Sequence, residues 1–217
     1  MDSRTKKLTI LGMFSAIAYV LTYISTLIPI SVAGFLKYDP KDIIIVIAGF
    51  ILGPASSFVI SLVVSLIEAV TISTTGFIGF IMNVLSTASF ACTASIIYKK
   101  RRTLGGAIIG LLSGTLLMCG VMILWNYLIT PLYMSVTRDV VEAMLLPIFL
   151  PFNLIKGFIN ASVTMLIYKP LVKALKATRL IDGKDSGKAD IRFSIIAACA
   201  VIIVSCILGI LIIAGVL

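Results

Sequence analysis

The sequence contains seven apolar segments, and this pattern limits the fold more than any other feature. The segments lie at about residues 8–30, 42–52, 55–72, 77–98, 104–131, 147–169 and 193–217. A helix needs roughly 20 apolar residues to cross the hydrocarbon core of a bilayer, and most of these segments are that long. With 60% hydrophobic residues and a mean hydropathy of +1.17, the chain has more apolar surface than a soluble domain can bury. The sequence therefore predicts an all-α membrane protein.

Gly53 and Pro54 interrupt the region 42–72, which is either one kinked helix or a hairpin. The distribution of positive charge decides between them. A hairpin places the N-terminus, the KKRR loop at 99–102 and the segment 169–192 on one side, which then holds 14 of the 18 Lys and Arg residues. Because cytoplasmic loops are enriched in Lys and Arg, we predict the hairpin and a cytoplasmic N-terminus. The arm at 42–52 is then only about 17 Å long and needs shelter from neighbouring protein.

Two loops on the opposite side are rich in aromatic and apolar residues. The first, SVAGFLKYDPKD (31–42), ends at Asp42, which we expect to be a helix N-cap. The second, PLYMSVTRDVVEAMLLP (131–147), has a capping signature at Asp139 and Glu142. It predicts a short amphipathic helix before Pro147 and Pro151 redirect the chain. Such loops either cover a site or simply connect helices.

Small residues recur at helical spacing in two segments. Gly106, Gly110 and Gly114 follow one another at intervals of four, and Gly12, Ser15 and Ala16 lie close together in the first segment. Small side chains let helices approach closely in lipid. The face in the first segment could pack inside the bundle or present a docking surface to another subunit.

Several classes of chemistry lack their usual motifs. The chain has no His, which argues against a zinc site or a Cys–His nucleophile, and its four Cys residues form no CxxC pair. No phosphate-binding loop of the type GxxxxGK[ST] is present. Glu68 is the only acidic residue well inside an apolar segment, so a proton relay has little support.

Polar residues within the apolar segments predict a ligand pocket. They are Glu68, Asn83, Thr87, Asn126, Asn153, Lys156 and Asn160. On the hairpin topology, four of these residues lie in the outer halves of their four helices, namely Glu68, Asn83, Asn126 and Asn153. The predicted pocket therefore opens outward. Amides donate and accept hydrogen bonds, which suits a planar heterocycle, and Tyr38, Phe77, Trp125, Tyr127 and Tyr133 could supply stacking surface. The alternative is that the Asn residues only join helices, at about 0.6 kcal/mol each.

Lys156 is the hardest of these residues to explain structurally. Asn153, Lys156 and Asn160 have the spacing i, i+3 and i+7, so they share one face of a helix. A lysine at the bilayer centre costs roughly 2.5–3.5 kcal/mol on insertion scales. Joining helices does not require a charge, so this face favours ligand binding.

Four stretches of the sequence resemble a known family. They are FLKYDPKDIIIVIAGFILGP (35–54), GFIGFIMNVLSTASF (76–90), WNYLITPLYM (125–134) and LLPIFLPFNLIKGFINA (145–161). They resemble the riboflavin-specific S-component (RibU family) of energy-coupling factor (ECF) vitamin transporters, over about residues 8–172. The resemblance implies a six-helix fold with an outward-facing pocket, closed by the first outer loop through Phe35, Leu36 and Tyr38. It also implies partners, namely a transmembrane coupling subunit that docks on Gly12, Ser15 and Ala16 and two cytoplasmic ATPases.

The division of the chain follows from this resemblance. Residues 1–172 are expected to form the flavin-binding S-component, 173–192 a polar cytoplasmic linker, and 193–217 an extra C-terminal transmembrane helix, which departs from the family. The expected location is a bacterial cell membrane.

The expected function is to bind riboflavin outside and deliver it inward, with ATP hydrolysed by the partners. The chain itself would catalyse no reaction and need no cofactor or metal, and whether FMN also binds stays open. A stand-alone secondary transporter of flavin or another small vitamin is the alternative, and a membrane-embedded enzyme comes third.

Overall fold

The computed structural model describes residues 3–27, 31–32 and 36–177. Its helices are α1 (Ser3–Leu27), α2 (Lys41–Leu52), α3 (Pro54–Thr71), α4 (Gly76–Lys100), α5 (Leu104–Met134), α6 (Arg138–Met144) and α7 (Leu150–Ala177). A π-helical turn, Leu145–Phe149, joins α6 to α7. Two short antiparallel strands, β1 (Ser31–Val32) and β2 (Leu36–Lys37), precede α2.

Five helical stretches of the described residues are long and apolar enough to cross a membrane. They are Arg4–Leu27, Pro54–Thr71, Gly76–Lys100, Leu104–Met134 and Arg138–Tyr168. The predicted all-α membrane fold is thereby confirmed. The predicted helix at 193–217 and most of the linker before it lie outside the described residues, and α7 extends five residues into the segment assigned to the linker.

The predicted hairpin at Gly53–Pro54 is confirmed. Gly53 has a φ of 99°, in the region that favours glycine, and Pro54 begins α3. Across the turn, Ser57 Oγ donates to the carbonyl oxygen of Ile45 at 3.2 Å. In one continuous helix these two residues would be about 18 Å apart. Residues 41–50 of α2 are all buried, so the short arm has the shelter that its length requires.

The predicted helix caps are wrong. Pro40 is the N-cap of α2, and Asp42 lies in the first turn with its carboxylate engaged elsewhere. Thr137 precedes α6 without a side-chain capping bond, although the short helix itself is present as predicted. In both places the backbone has already turned helical one or more residues before the acidic side chain, so that side chain cannot cap it.

Pro147 and Pro151 do not redirect the chain as predicted. Pro147 lies within the π-helical turn, and Pro151 is the second residue of α7. The wider π turn changes the hydrogen-bond spacing in the region where the two prolines lack a backbone N–H donor. The helical path therefore continues from α6 into α7.

The two small-residue faces have different surroundings. A β-carbon on Gly110 would lie 2.7 Å from the Ala94 carbonyl oxygen, and one on Gly114 would lie 2.5 Å from that of Phe90. This face therefore packs inside the protein, between α5 and α4. In α1, by contrast, Gly12 and Ala16 are exposed, whereas Ser15 is buried.

Candidate functional site

A buried lysine joins two carboxylates where the first loop enters α2. Lys41 Nζ lies 2.6 Å from Asp39 Oδ2 and 2.5 Å from Glu68 Oε2. Asn83 Nδ2 donates to the same Glu68 oxygen at 3.1 Å, and Thr22 Oγ1 donates to Asp39 Oδ1 at 3.0 Å. Residues from α1, α3 and α4 thus meet at the N-terminus of α2. Pairing compensates these buried charges, which would otherwise be very costly to remove from water.

A second buried carboxylate, that of Asp42, binds side chains from α4 and α7. Asp42 Oδ1 accepts a hydrogen bond of 2.6 Å from Thr87 Oγ1. Asp42 Oδ2 lies 3.2 Å from Asn160 Nδ2 and 3.3 Å from Lys156 Nζ. The ammonium group of Lys156 also lies 3.5 Å from Ser86 Oγ. Placement of Asp42 in the first turn of α2 is favourable in its own right, because negative charge is stabilised at a helix N-terminus.

Asn160 connects the two groups to the first loop. Tyr38 donates its phenol proton to Asn160 Oδ1 at 2.7 Å, and Asn160 Nδ2 approaches the Asp39 carbonyl oxygen at 3.5 Å. We call the whole set the polar network, made up of Thr22, Tyr38, Asp39, Lys41, Asp42, Glu68, Asn83, Ser86, Thr87, Lys156 and Asn160. It ties the end of the first loop to helices α1, α3, α4 and α7.

The electrostatics of the loop residues follow from this arrangement. Burial raises the pKa of Tyr38, and the carboxylates of Asp42 and Asp39 raise it further. Burial alone would raise the pKa of Asp39, but the ammonium groups of Lys41 and Lys156 outweigh it, and the pKa lies below its usual value. Tyr38 is therefore a neutral hydrogen-bond donor and Asp39 a charged acceptor.

The network has one carboxylate more than its lysines can neutralise. It holds three carboxylates and two ammonium groups, and Glu68 Oε1 is buried without a hydrogen-bond partner among the described residues. A buried acceptor in this state is costly until a donor reaches it. The network therefore contains an ammonium group at its accessible edge, that of Lys156, and a buried carboxylate oxygen of Glu68 that lacks a donor among the described residues.

Six of the residues predicted for ligand binding meet in the polar network. They are Tyr38, Glu68, Asn83, Thr87, Lys156 and Asn160. The sequence places only Glu68 well inside an apolar segment, and among the described residues the structure adds a second buried acidic side chain. Asp42 is fully buried within α2, because its partners on α4 and α7 replace the water that it loses.

The other predicted residues whose side chains are described are not among those that form the network. Asn126 Nδ2 donates to the Met122 carbonyl oxygen and Asn153 Nδ2 to that of Phe149, so each amide bonds to its own helix. Both Asn side chains are buried, and Trp125 is half-buried. Phe77 and Tyr133 are exposed, with 72% and 46% of their surface accessible. Phe35 lies outside the described residues, and only the backbone of Leu36, in β2, is described.

Sequence reasoning missed Asp39, Lys41, Asp42, Ser86 and Thr22. From the sequence, the two charges at 41 and 42 belong to a loop in water. A signal was available, since these charges come directly before an apolar arm too short to span a bilayer. A short arm that is surrounded by protein carries its first turn into the interior, together with the charges on it.

Comparison with known proteins agrees with this architecture. The family described as "ECF transporter, substrate-specific component" matches residues 6–168. The riboflavin transporter RibU of Staphylococcus aureus is 33% identical over 179 residues, covering 80% of this chain and 94% of that protein. The riboflavin transporter FmnP of Bacillus subtilis is 26% identical over 189 residues, covering 82% and 99%.

A solved structure agrees as well. The S component of a bacterial ECF transporter superposes with a TM-score of 0.68 at 31% sequence identity, covering 80% of this chain and 99% of that one. The family match includes both the polar network and the membrane helices around it. The chain belongs to the family of substrate-specific components of ECF transporters.

Proposed function

We propose that this protein binds riboflavin from the outer side of a bacterial cell membrane and delivers it inward, while partner subunits hydrolyse ATP. Relatives that match most of the chain are riboflavin transporters. The observation that carries the proposal is Lys156, a buried ammonium group in α7 that pairs with the Asp42 carboxylate. A flavin ring presents carbonyl oxygens and ring nitrogens, which require donors and acceptors of the kind that the polar network contains.

The proposed contacts divide into polar and apolar groups. Lys156 donates to a flavin carbonyl, and Asn83, Asn126, Asn153 and Asn160 pair with the ring edge or the sugar-like chain. Glu68 supplies a further polar contact, Thr87 takes part in the site through its bond to Asp42, and Phe77, Trp125 and Tyr133 supply stacking surface. Phe35, Leu36 and Tyr38 belong to a loop that closes over the ligand. The bond from Tyr38 to Asn160 supports this role, because it already attaches the end of that loop to α7.

The proposed topology has six helices and an additional one. Helices α1 to α5 and α7 form the S-component bundle, with the N-terminus in the cytoplasm, and residues 193–217 form a seventh helix after a polar linker. The basic residues at 99–102 and 169–192 support this orientation by the positive-inside rule. The polar network then lies toward the outside, near the ends of α2 and α3 that face away from the KKRR loop.

We assign docking of the coupling subunit to the exposed face of α1. Gly12 has no atom within 4 Å of the position of a β-carbon, and Ala16 is exposed, so both leave room for a partner helix. Ala16→Leu should leave riboflavin affinity unchanged and abolish complex assembly and ATP-driven uptake. Loss of riboflavin binding in the same variant would contradict this assignment, since it would show that Ala16 supports the fold.

Substitution of Lys156 tests the proposed ligand site. Lys156→Ala should weaken riboflavin binding at least about tenfold in a fluorescence titration of the purified protein, because a lost buried partner costs about 1–3 kcal/mol. Lys100→Ala is the matched control, since Lys100 is exposed at the far end of α4. A folded Lys156→Ala protein with unchanged affinity would remove Lys156 from the site. Failure of the unmodified protein to bind riboflavin would contradict the function itself.

A stand-alone secondary transporter is the second candidate. The observation in its favour is the group of three carboxylates, Asp39, Asp42 and Glu68, because ion-coupled transporters use such groups. Uptake of riboflavin in cells that lack the ATPase subunits separates the candidates. Uptake there supports the secondary transporter, and its absence supports the ATP-driven one.

A further inference from the structure

Asp42 and Lys156 form an unequal pair. The side chain of Asp42 has no exposed surface, whereas that of Lys156 is 9% exposed. Asp42 is also the more firmly held partner, since Thr87 bonds its Oδ1 at 2.6 Å and Asn160 bonds its Oδ2 at 3.2 Å. Lys156 has longer contacts, at 3.3 Å to Asp42 and 3.5 Å to Ser86. The carboxylate is therefore the fixed member and the flexible ammonium the adjustable one.

The ammonium group retains capacity for a ligand. It has three N–H donors, and its contacts among the described residues are Asp42 and Ser86. A ligand can reach Lys156 but cannot reach Asp42, which is enclosed by α2, α4 and α7. Asp42 can thus affect ligand binding only through the residues that it holds.

We infer that Asp42 is a positioning residue, which sets the location of the Lys156 ammonium group for ligand binding. The inference rests on the proposed function, in which Lys156 donates to riboflavin. Without the carboxylate, Lys156 loses its counter-charge and its anchor, and the four-carbon side chain can adopt other conformations. Asp42 also holds Asn160, but Tyr38 and the Asp39 carbonyl oxygen hold that amide as well. Most of the contribution of Asp42 to affinity should therefore depend on the presence of Lys156.

A double-mutant cycle on the full-length protein in detergent tests this inference, with riboflavin as the probe. Asp42→Asn keeps the shape of the side chain and an oxygen for Thr87, but removes the charge. Asp42→Asn and Lys156→Met should each lower riboflavin affinity at least about tenfold, and the double variant should lie within about threefold of Lys156→Met. Asp139→Asn, on the exposed surface of α6, is the control and should have no effect.

Two outcomes would overturn the inference. One is an Asp42→Asn protein with unchanged affinity. The other is a double variant whose loss equals the product of the single losses, about a hundredfold or more, because this would show that Asp42 acts independently of Lys156. In either case the unmodified protein still binds riboflavin, so these results are distinct from failure of the proposed function.

A second cycle covers the case in which Asp42→Asn does not fold. Thr87→Val removes the hydroxyl group that holds Asp42 Oδ1 and leaves the ion pair in place. It should lower affinity about threefold when Lys156 is present and have no effect in the Lys156→Met protein. An equal loss in both backgrounds would contradict the positioning role. Melting temperatures measured beside each titration show that affinity is compared between folded proteins.

Discussion

The two ends of α2 are both buried, but by different means. At the N-terminal end, Lys41 and Asp42 are surrounded by ion pairs and hydrogen bonds. At the C-terminal end, Phe50 stacks on Tyr98 with ring centroids 4.3 Å apart and meets Tyr168 edge-on at 5.6 Å. Gly49 allows close contact with Ser57 and Ser95, which bond to each other at 3.2 Å. Ion pairs therefore hold one end of this twelve-residue helix, and packing holds the other. We call the end with Lys41 and Asp42 the charged end of α2, and the end with Gly49 and Phe50 the packed end.

The difference between the two ends indicates which end mainly stabilises the protein and which end serves its function. The packed end buries its side chains without removing ions from water, whereas the charged end pays a desolvation cost that apolar residues would avoid. Stability alone therefore does not account for five charged groups at one end of the bundle. We interpret the charged end as the part of α2 adapted for a ligand, and the packed end as the part that anchors the helix.

The largest expected effect is on the stability of the charged end. Lys41→Met leaves the buried Glu68 and the partly buried Asp39 without their shared counter-charge, so the free energy of unfolding should fall by about 3–5 kcal/mol. Thermal unfolding in detergent measures this, with Lys100→Met at an exposed site as the control. A loss below about 1 kcal/mol would show that the ion pairs are not what holds this end of α2.

A loss of stability smaller than that of Lys41→Met is expected from a substitution at the packed end. A β-carbon on Gly49 would overlap Ser57 Oγ and Ser95 Oγ, so Gly49→Ala must displace both hydroxyl groups. Loss of their buried hydrogen bonds should cost about 1–3 kcal/mol of stability, while riboflavin affinity of the folded protein stays unchanged.

Gly120→Ala is the matched control for Gly49→Ala. Gly120 lies in α5, and a β-carbon added there would meet no atom within 4 Å, so alanine should stabilise the helix by up to about 1 kcal/mol. A Gly49→Ala protein that is stable but binds riboflavin weakly would contradict the division of roles between the two ends.

The sequence predicts the membrane helices and the hairpin well, because both depend on features that act over one segment. Apolar length defines the helices, and Gly53, Pro54 and the basic loops define the turn. The site is predicted less completely. Lys156 and Asn160 can be found because a charge or amide within an apolar run has a clear cost, and their shared helical face is visible in the sequence.

Asp39, Lys41 and Asp42 were missed because their burial depends on other helices. A charged residue beside a turn normally lies in water, and only the three-dimensional packing of α2 among α3, α4 and α7 reverses that expectation. Asn126 and Asn153 show the same limit of sequence reasoning. Each was predicted to face a common pocket, and the structure shows one N–H of each amide bonded to the carbonyl oxygen four residues earlier in its own helix. That they bind the ligand stays a prediction.

The smallest expected effect concerns the hydroxyl pair at the packed end. Tyr98 and Tyr168 share a hydrogen bond of 2.6 Å between their phenol oxygens. Tyr98→Phe removes this bond but retains the ring that stacks on Phe50, so the free energy of unfolding should fall by only about 0.5–1.5 kcal/mol. Tyr23→Phe, at an exposed position of α1, should change stability by less than about 0.5 kcal/mol.

Riboflavin titration of the Tyr98→Phe protein provides the sharper test of the comparison. Because Tyr98 lies near the C-terminal end of α4 while Asn83, Ser86 and Thr87 of the polar network lie nearer its start, removal of the hydroxyl group should leave affinity within about twofold of the unmodified protein. A tenfold loss of affinity with little change in stability would mean that the packed end takes part in ligand binding. The charged end could then no longer be regarded as the only functional part of α2, and the pocket would have to extend along the whole helix.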